Sequence, residues 1–292
     1  MEMQETTVKK MSKIIFGILG VVLLLGILLG ALFMATGGRF FTVQTPSMAT
    51  YAPVGTFVLS QPVNFDDIKK DDTILFKPPA SEEVYFHRVL AVTDEGLKTK
   101  GDLSEAIDPW ILTEKDIVGK ELTHFVNFGF LLQALPVFLI GAILLYTITH
   151  FYMPRYWRFP VRVFGWSTMF SIANYIFHPF VNVSVLSQTI IDGVSTTRFV
   201  PTGMWKLEGV AYEGTTATAW PGEVGVVTSS IADSKDYFSV NLGPYMDVWT
   251  WIFLVATWCI PVALTLGYAA YARHKGLDLI ETVEEQPAQQ IS

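Results

Sequence analysis

Residues 14–35 (IIFGILGVVLLLGILLGALFMA) carry no charge and no strongly polar side chain. At 1.5 Å per residue a helix of this length reaches about 33 Å, enough to cross a hydrocarbon core of about 30 Å. The run therefore predicts a transmembrane helix, and it constrains the rest of the chain by tethering everything after it to a bilayer. Lys9, Lys10 and Lys13 precede it, as they would in a cleaved signal peptide. The apolar region of such a peptide spans only about 7–15 residues, so an uncleaved anchor is the better reading.

The 51% hydrophobic content of the 292 residues is gathered into further runs of this kind. Residues 128–149 form a second candidate span, whose Pro136 neighbouring helices can accommodate. Residues 248–272 form another, with Trp249 and Trp251 at the end where an interfacial aromatic belt belongs. Residues 163–186 are diluted by Asn174, His178, Pro179 and Asn182, so loop charge has to arbitrate. Basic residues cluster before residue 14, at Arg155, Arg158 and Arg162, and at Arg273 and Lys275. The positive-inside rule places all three clusters in the cytoplasm, which four spans satisfy and three do not. The expected order is a cytoplasmic N-terminus (1–13), span 14–35, exported segment 36–127, span 128–149, basic loop 150–162, span 163–186, exported segment 187–247, span 248–272 and a cytoplasmic tail (273–292), polar and disordered in character from 276.

Both exported segments are acidic, with 9 Lys and Arg against 14 Asp and Glu in the first and 3 against 7 in the second. No nucleic-acid partner is expected, because the basic footprint is missing. The single cysteine, Cys259, rules out an intramolecular disulfide and a cysteine metal site.

Between residues 39 and 123 short β-branched and aromatic stretches (TFVLS, DTILFKPP, EVYFHRVLAVT, GLKTKGD, DIVGKELT) alternate with turn signals, which predicts a compact all-β domain. Alternation in VYFHRVLAV puts Tyr85, His87, Val89 and Ala91 on one face and Phe86, Arg88, Leu90 and Val92 on the other. The second exported segment (RFVP, WKLEGVAYEG, TATAWPG, EVGVVTSS, YFSVNLG) also reads as β, but has no His, no Cys and no acids at ligand spacing. It is expected to be a small β module with a packing or partner role. The expected fold class is a membrane protein with a mainly-β exported domain, about four transmembrane helices and this second module.

Chemistry, if any, gathers in the first segment. Ser47 follows soon after Ala35, in TPSMATYAPVGT, with Gly37 and Gly38 between. Serine is a weak nucleophile that needs a base and an orienting acid. His87 is the default base, although a lone strand histidine is more often structural. Asp102 and Asp108 follow in KTKGDLSEAIDPW and could orient it, although turn aspartates usually bond their own backbone. His178, inside the third expected span, is a functional candidate by position; a kink in which its neutral imidazole bonds a carbonyl freed by Pro179 is the plainer reading.

The order Pro46-Ser47-Met48, then His87-Arg88-Val89, then Lys100-Gly101-Asp102 with Asp108 shortly after, all following an N-terminal anchor, resembles type I signal peptidase in its Ser-His-Asp branch. Pro53-Val54-Gly55 and Ile117-Val118-Gly119-Lys120 are similar to further elements of that family, and the resemblance covers roughly residues 10–150. It implies a serine endopeptidase that removes signal peptides from exported precursors. Ser47 would be nucleophile and His87 base, Asp108 would orient the imidazole, and Asp102 would be a supporting acid. The Ser47 backbone N–H would be the oxyanion donor, and no metal or organic cofactor is implied. Its partners would be precursor proteins and the bilayer; the resemblance does not reach 187–247, for which an envelope or secretion-machinery partner is a separate expectation. Two departures stand out: Ala49-Thr50 replaces the usual Glu-Pro, and Leu103-Ser104 replaces the usual Asn after Gly-Asp. Two alternatives stay open, a Ser-Lys dyad using Lys98 or Lys100, and a non-catalytic scaffold acting through 187–247.

Overall fold

The apolar run after residue 14 contains no proline and only isolated glycines until Thr36 is followed by two glycines in a row, and helix α1 (Glu2–Ala35) ends there. Its last turn is closed by the Gly37 and Gly38 N–H groups, which donate to the carbonyls of Met34 and Phe33 at 3.0 Å each. The computed structural model describes residues 2–274 apart from 80, 234 and 236; Lys275 and the expected tail from 276 lie outside the described residues. The chain divides into two compact units, residues 1–52 with 56–126, and residues 53–55 with 127 onward.

In the first unit the β-rich stretches become β1 (Arg39–Thr42), β2 (Phe57–Gln61), β3 (Thr73–Phe76), β4 (Tyr85–Thr93), β5 (Gly96–Lys100) and β6 (Ile117–Phe125). They form one six-stranded sheet in the order β1-β2-β6-β3-β4-β5, antiparallel throughout. All four residues of β3 are buried, because each sheet face carries its own core there. Ile74, Phe76, Val89, Leu97 and Leu112 fill one side; Val43, Ala52, Val58 and Leu75 fill the other. Up to the β-bulge that follows Val89, the alternation in β4 sorts as its sequence requires. Tyr85 and Val89 join the first cluster and Phe86 the second, so His87 is committed to the first face.

The second unit holds α2 (Phe128–Phe151), α3 (Arg155–Phe177) and α4 (Val248–His274). Between α3 and α4 lie β7 (Val183–Ile191), β8 (Val194–Pro201), β9 (Leu207–Ala211), β10 (Thr216–Ala219), β11 (Gly225–Ser229) and β12 (Val240–Pro244). These strands make two three-stranded sheets, β10-β9-β12 and β11-β8-β7, sharing a core of Phe199, Leu207, Ala211, Ala219 and Val227.

The helix expected over 163–186 is displaced: α3 starts at Arg155 and stops at Phe177, and Val183 already belongs to β7. The residue before a proline is pushed out of the α region. His178, which precedes Pro179, takes a left-handed φ of 47° and caps the helix rather than kinking it.

Two helices, α2 and α4, are long and apolar enough to cross a membrane, and α1 has a shorter apolar stretch over Gly20–Ala35. Leu139, Ile140 and Ile143 on α2, and Val255 and Leu266 on α4, are more than half exposed. Apolar side chains left bare along a helix suit a lipid solvent and not water.

Candidate active site

Ser47 is the middle residue of a 3-10 turn, Pro46–Met48, whose first position suits the fixed φ of proline. The winding continues past it, with the Tyr51 and Ala52 N–H groups both donating to the Met48 carbonyl, at 2.9 and 2.7 Å. Met48, Ala49 and Ala52 are buried. The small side chains at 49 and 52 let this coil sit against the sheet, while Ser47 stays half-buried.

The segment after β5 closes over that turn. Leu103 N–H donates to the Ser47 carbonyl at 2.8 Å, and Asp102 N–H reaches the Met48 sulfur at 3.4 Å. Gly101 is what permits the approach: a Cβ there would lie 2.9 Å from the Ser47 Cβ and 2.6 Å from the Ser104 Oγ.

His87 is buried on the inner face of β4, edge-on to the Tyr85 ring at 5.9 Å and the Phe76 ring at 6.0 Å. Its Nε2 is 3.0 Å from Ser47 Oγ, and its Nδ1 is 2.8 Å from Asp108 Oδ2. An ionised carboxylate only accepts, so Nδ1 carries the proton and Nε2 is left to accept from the Ser47 hydroxyl. The His87 and Asp108 side chains are 8% and 9% exposed, which keeps the imidazole and its carboxylate partner largely out of water.

Asp108 reaches the imidazole because its loop is sewn to β5. Leu97 and Leu112 exchange backbone hydrogen bonds at 2.9 Å each, and Asp108 N–H donates to the Thr99 carbonyl at 3.0 Å. The Thr99 hydroxyl also donates to Asp108 Oδ2, at 2.6 Å.

Asp102 does not touch His87. It takes both arms of the Arg88 guanidinium, Nε and Nη2, at 2.9 Å each. Arg88 projects from the opposite face of β4, lies 4.8 Å above the Tyr51 ring and donates to the Asp71 carbonyl at 3.1 Å. The Asp102 hydrogen bond holds the guanidinium pKa above its ordinary value. Asp102 thus braces the turn that carries Gly101. Lys98 and Lys100 alternate away from the inward-facing Thr99 on β5, and the nitrogen beside Ser47 Oγ is that of His87.

Several polar residues at or near this site carry no signal in the sequence. Thr45 Oγ1 is 3.3 Å from Ser47 Oγ. His124 Nδ1 contacts Glu121 at 2.6 Å, and Glu121 also accepts from Tyr51 and Thr73. Burial first, then the Glu121 carboxylate, pushes the Tyr51 phenol pKa up. Thr99 is the one within reach of sequence argument: a buried-face threonine in register with Leu97, between a histidine strand and an acid loop.

Among the described residues no group of three His, Cys, Asp or Glu side chains is disposed to hold a metal ion. In the second unit the carboxylate of Glu213 accepts from Ser230 N–H and Ile231 N–H at 3.0 and 2.9 Å and from Ser229 Oγ at 2.9 Å, which latches a turn. No protein-family model matches the chain, and no curated protein is significantly similar to it.

Proposed function

We propose that this chain is a membrane-anchored serine endopeptidase of the type I signal peptidase kind, cutting signal sequences from exported precursors. One observation carries the reading: a single imidazole bridges Ser47 Oγ at 3.0 Å and the Asp108 carboxylate at 2.8 Å, the geometry of a general-base-activated nucleophile. In the first step Ser47 Oγ bonds to the scissile carbonyl carbon while His87 Nε2 takes the hydroxyl proton. The Ser47 backbone N–H is the proposed donor to the oxyanion that forms. Collapse of the tetrahedral species breaks the C–N bond, and His87 returns its proton to the leaving amine. A water molecule, deprotonated by His87, then attacks the acyl-enzyme ester, and collapse breaks the ester C–O bond as His87 returns that proton to Ser47 Oγ. Asp108 holds Nδ1–H and stabilises the imidazolium at both proton transfers.

A signal sequence is itself an apolar helix whose cleavage site emerges at the exported surface. An enzyme whose nucleophile follows so closely on α1 meets that bond at a suitable depth. In this proposal α1 to α4 all span, the basic segments at 9–13, 155–162 and 273–275 are cytoplasmic, and both β-rich segments are exported. The sheet order leaves β1 as an end strand, while the other end strand, β5, is bridged by Leu112. β1 leads directly into the turn that carries Ser47, so a substrate segment added along it would supply main-chain hydrogen bonds beside the nucleophile.

The test is to incubate the wild type and Ser47→Ala, each purified in mild detergent, with a secretory precursor and to read the new N-terminus by mass spectrometry. The expected result is a cut after a small residue at the end of the apolar run, absent in Ser47→Ala. Failure of the wild type on several precursors that a known signal peptidase cuts would refute the reading.

A further inference from the structure

We infer that Thr99 is a positioning residue of this site, acting through Asp108: its hydroxyl fixes which carboxylate oxygen faces His87. Thr99 is fully buried and pairs with Val89 across the β4–β5 ladder. It therefore shares a sheet face with His87, one diagonal step away. From that face two donors converge on one atom. Asp108 Oδ2 accepts from Thr99 Oγ1 at 2.6 Å and contacts His87 Nδ1 at 2.8 Å. The same residue pair is joined a second time by the Asp108 N–H to Thr99 carbonyl bond at 3.0 Å. One strand residue thus holds the acid by both its main chain and its side chain, so the carboxylate cannot swing without breaking a charge-assisted hydrogen bond.

A merely structural hydroxyl makes a different prediction. Apart from His87 and Asp108, the cross-strand partner of Thr99, Val89, and the next residue on this face, Leu97, are apolar, and a valine would fill the same volume without a buried polar group needing a partner. Packing alone would favour valine, whereas aiming the carboxylate requires the hydroxyl.

The experiment uses the full chain in detergent micelles with ¹⁵N-labelled histidine, and follows the His87 Nδ1–H proton resonance, assigned by its absence in His87→Gln. Thr99→Val is expected to displace that resonance or lose it to solvent exchange, and Thr99→Ser, which keeps the hydroxyl, to restore it. Thr99→Ala serves as the second hydroxyl-free variant should Thr99→Val not fold. On a cleavable precursor the hydroxyl-free variant should lose roughly 10- to 100-fold in kcat, the worth of one hydrogen bond to a charged group, with KM unchanged. An unmoved resonance in the hydroxyl-free variant, or a Thr99→Ser protein as impaired as Thr99→Val, would overturn the inference. The kinetic arm rests on the peptidase reading and the resonance does not. A wild type that cleaves nothing therefore counts against the function, while an unmoved resonance counts against Thr99.

Discussion

Asp102 and Asp108 lie close together in the chain yet have unlike surroundings, and substituting each separates their roles. Asp108 meets the imidazole and is 9% exposed. Asp108→Asn presents an amide that can donate to Nδ1 and so favours the wrong tautomer, and we expect kcat to fall about 10⁴-fold with folding retained. The Asp102 carboxylate instead takes Arg88, in a bidentate pair whose aspartate and arginine side chains are 20% and 30% exposed. Asp102→Asn should leave kcat within about tenfold of wild type. It should cost about 1 kcal/mol of stability, the lower end for charge-assisted bonds once solvent screening is allowed for. Precursor kinetics and denaturant midpoints on both variants check the contrast, and equal losses of kcat would contradict it. Gly101→Ala tests the close approach at its neighbour. Its Cβ would push on Ser47 and Ser104, so cleavage should drop at least tenfold, while labelling of Ser47 by a fluorophosphonate probe slows in parallel. Sequence order picks out Ser47 and His87, but not which acid serves them. That choice belongs to the path of the chain from Gly101 to Leu112, set by the reciprocal Leu97–Leu112 bridge, whose two ends come from opposite sides of the acid-bearing loop.

At the scale of elements, period-2 alternation in β4 correctly puts His87 and Arg88 on opposite faces, because a strand offers no alternative once one face is buried. Helix ends are less legible. Hydropathy places α3 by its apolar residues, whereas the backbone begins it at Arg155 and ends it before the His178-Pro179 junction. The Glu213 turn in the second unit gives an element-level pH prediction. Hydrogen bonds, led by that from the Ser230 N–H, hold the Glu213 carboxyl below its ordinary 4.5. A carboxyl lowered by folding stabilises the fold fully above its unfolded pKa and loses that contribution as pH falls through the lower folded value. Amide exchange at Ser230 and Ile231 should therefore accelerate, beyond its intrinsic pH dependence, on acidification below about pH 4.5. In Glu213→Gln the protection of these amides should be weak at every pH, and identical profiles for the two proteins would contradict the latch.

For the whole molecule, the proposed four-span topology predicts that both β-rich segments face the same side. With Cys259 replaced by Ala, single cysteines at Lys98 and Tyr212, both exposed, should react with a membrane-impermeant maleimide in intact cells. A cysteine at the exposed Arg155 should react only after permeabilisation. Labelling of Tyr212→Cys only from the cytoplasmic face would remove α3 as a span and invert the placement of the second module. The mainly-β character of both polar segments is legible because turn residues punctuate them at short intervals. The sheet order β1-β2-β6-β3-β4-β5 is not, since β6, the last strand of its unit, inserts between β2 and β3.

The sequence by itself determined the quantities that are local sums or short periods. These are the apolar lengths of α2 and α4, the strands β2 to β6 and β8 to β12, the face of His87, and the order in which a serine, a histidine and an acid appear. Each follows from side-chain chemistry read over a window shorter than one element. The resemblance has Asp108 orient His87 with Asp102 in support; tertiary structure alone decided that Asp102 stands apart from the imidazole, taken by Arg88, and that Thr99 shares the Asp108 oxygen with the imidazole. Those outcomes depend on loop closure and on strands paired far apart in the chain, where angstrom differences in approach choose among residues of identical type.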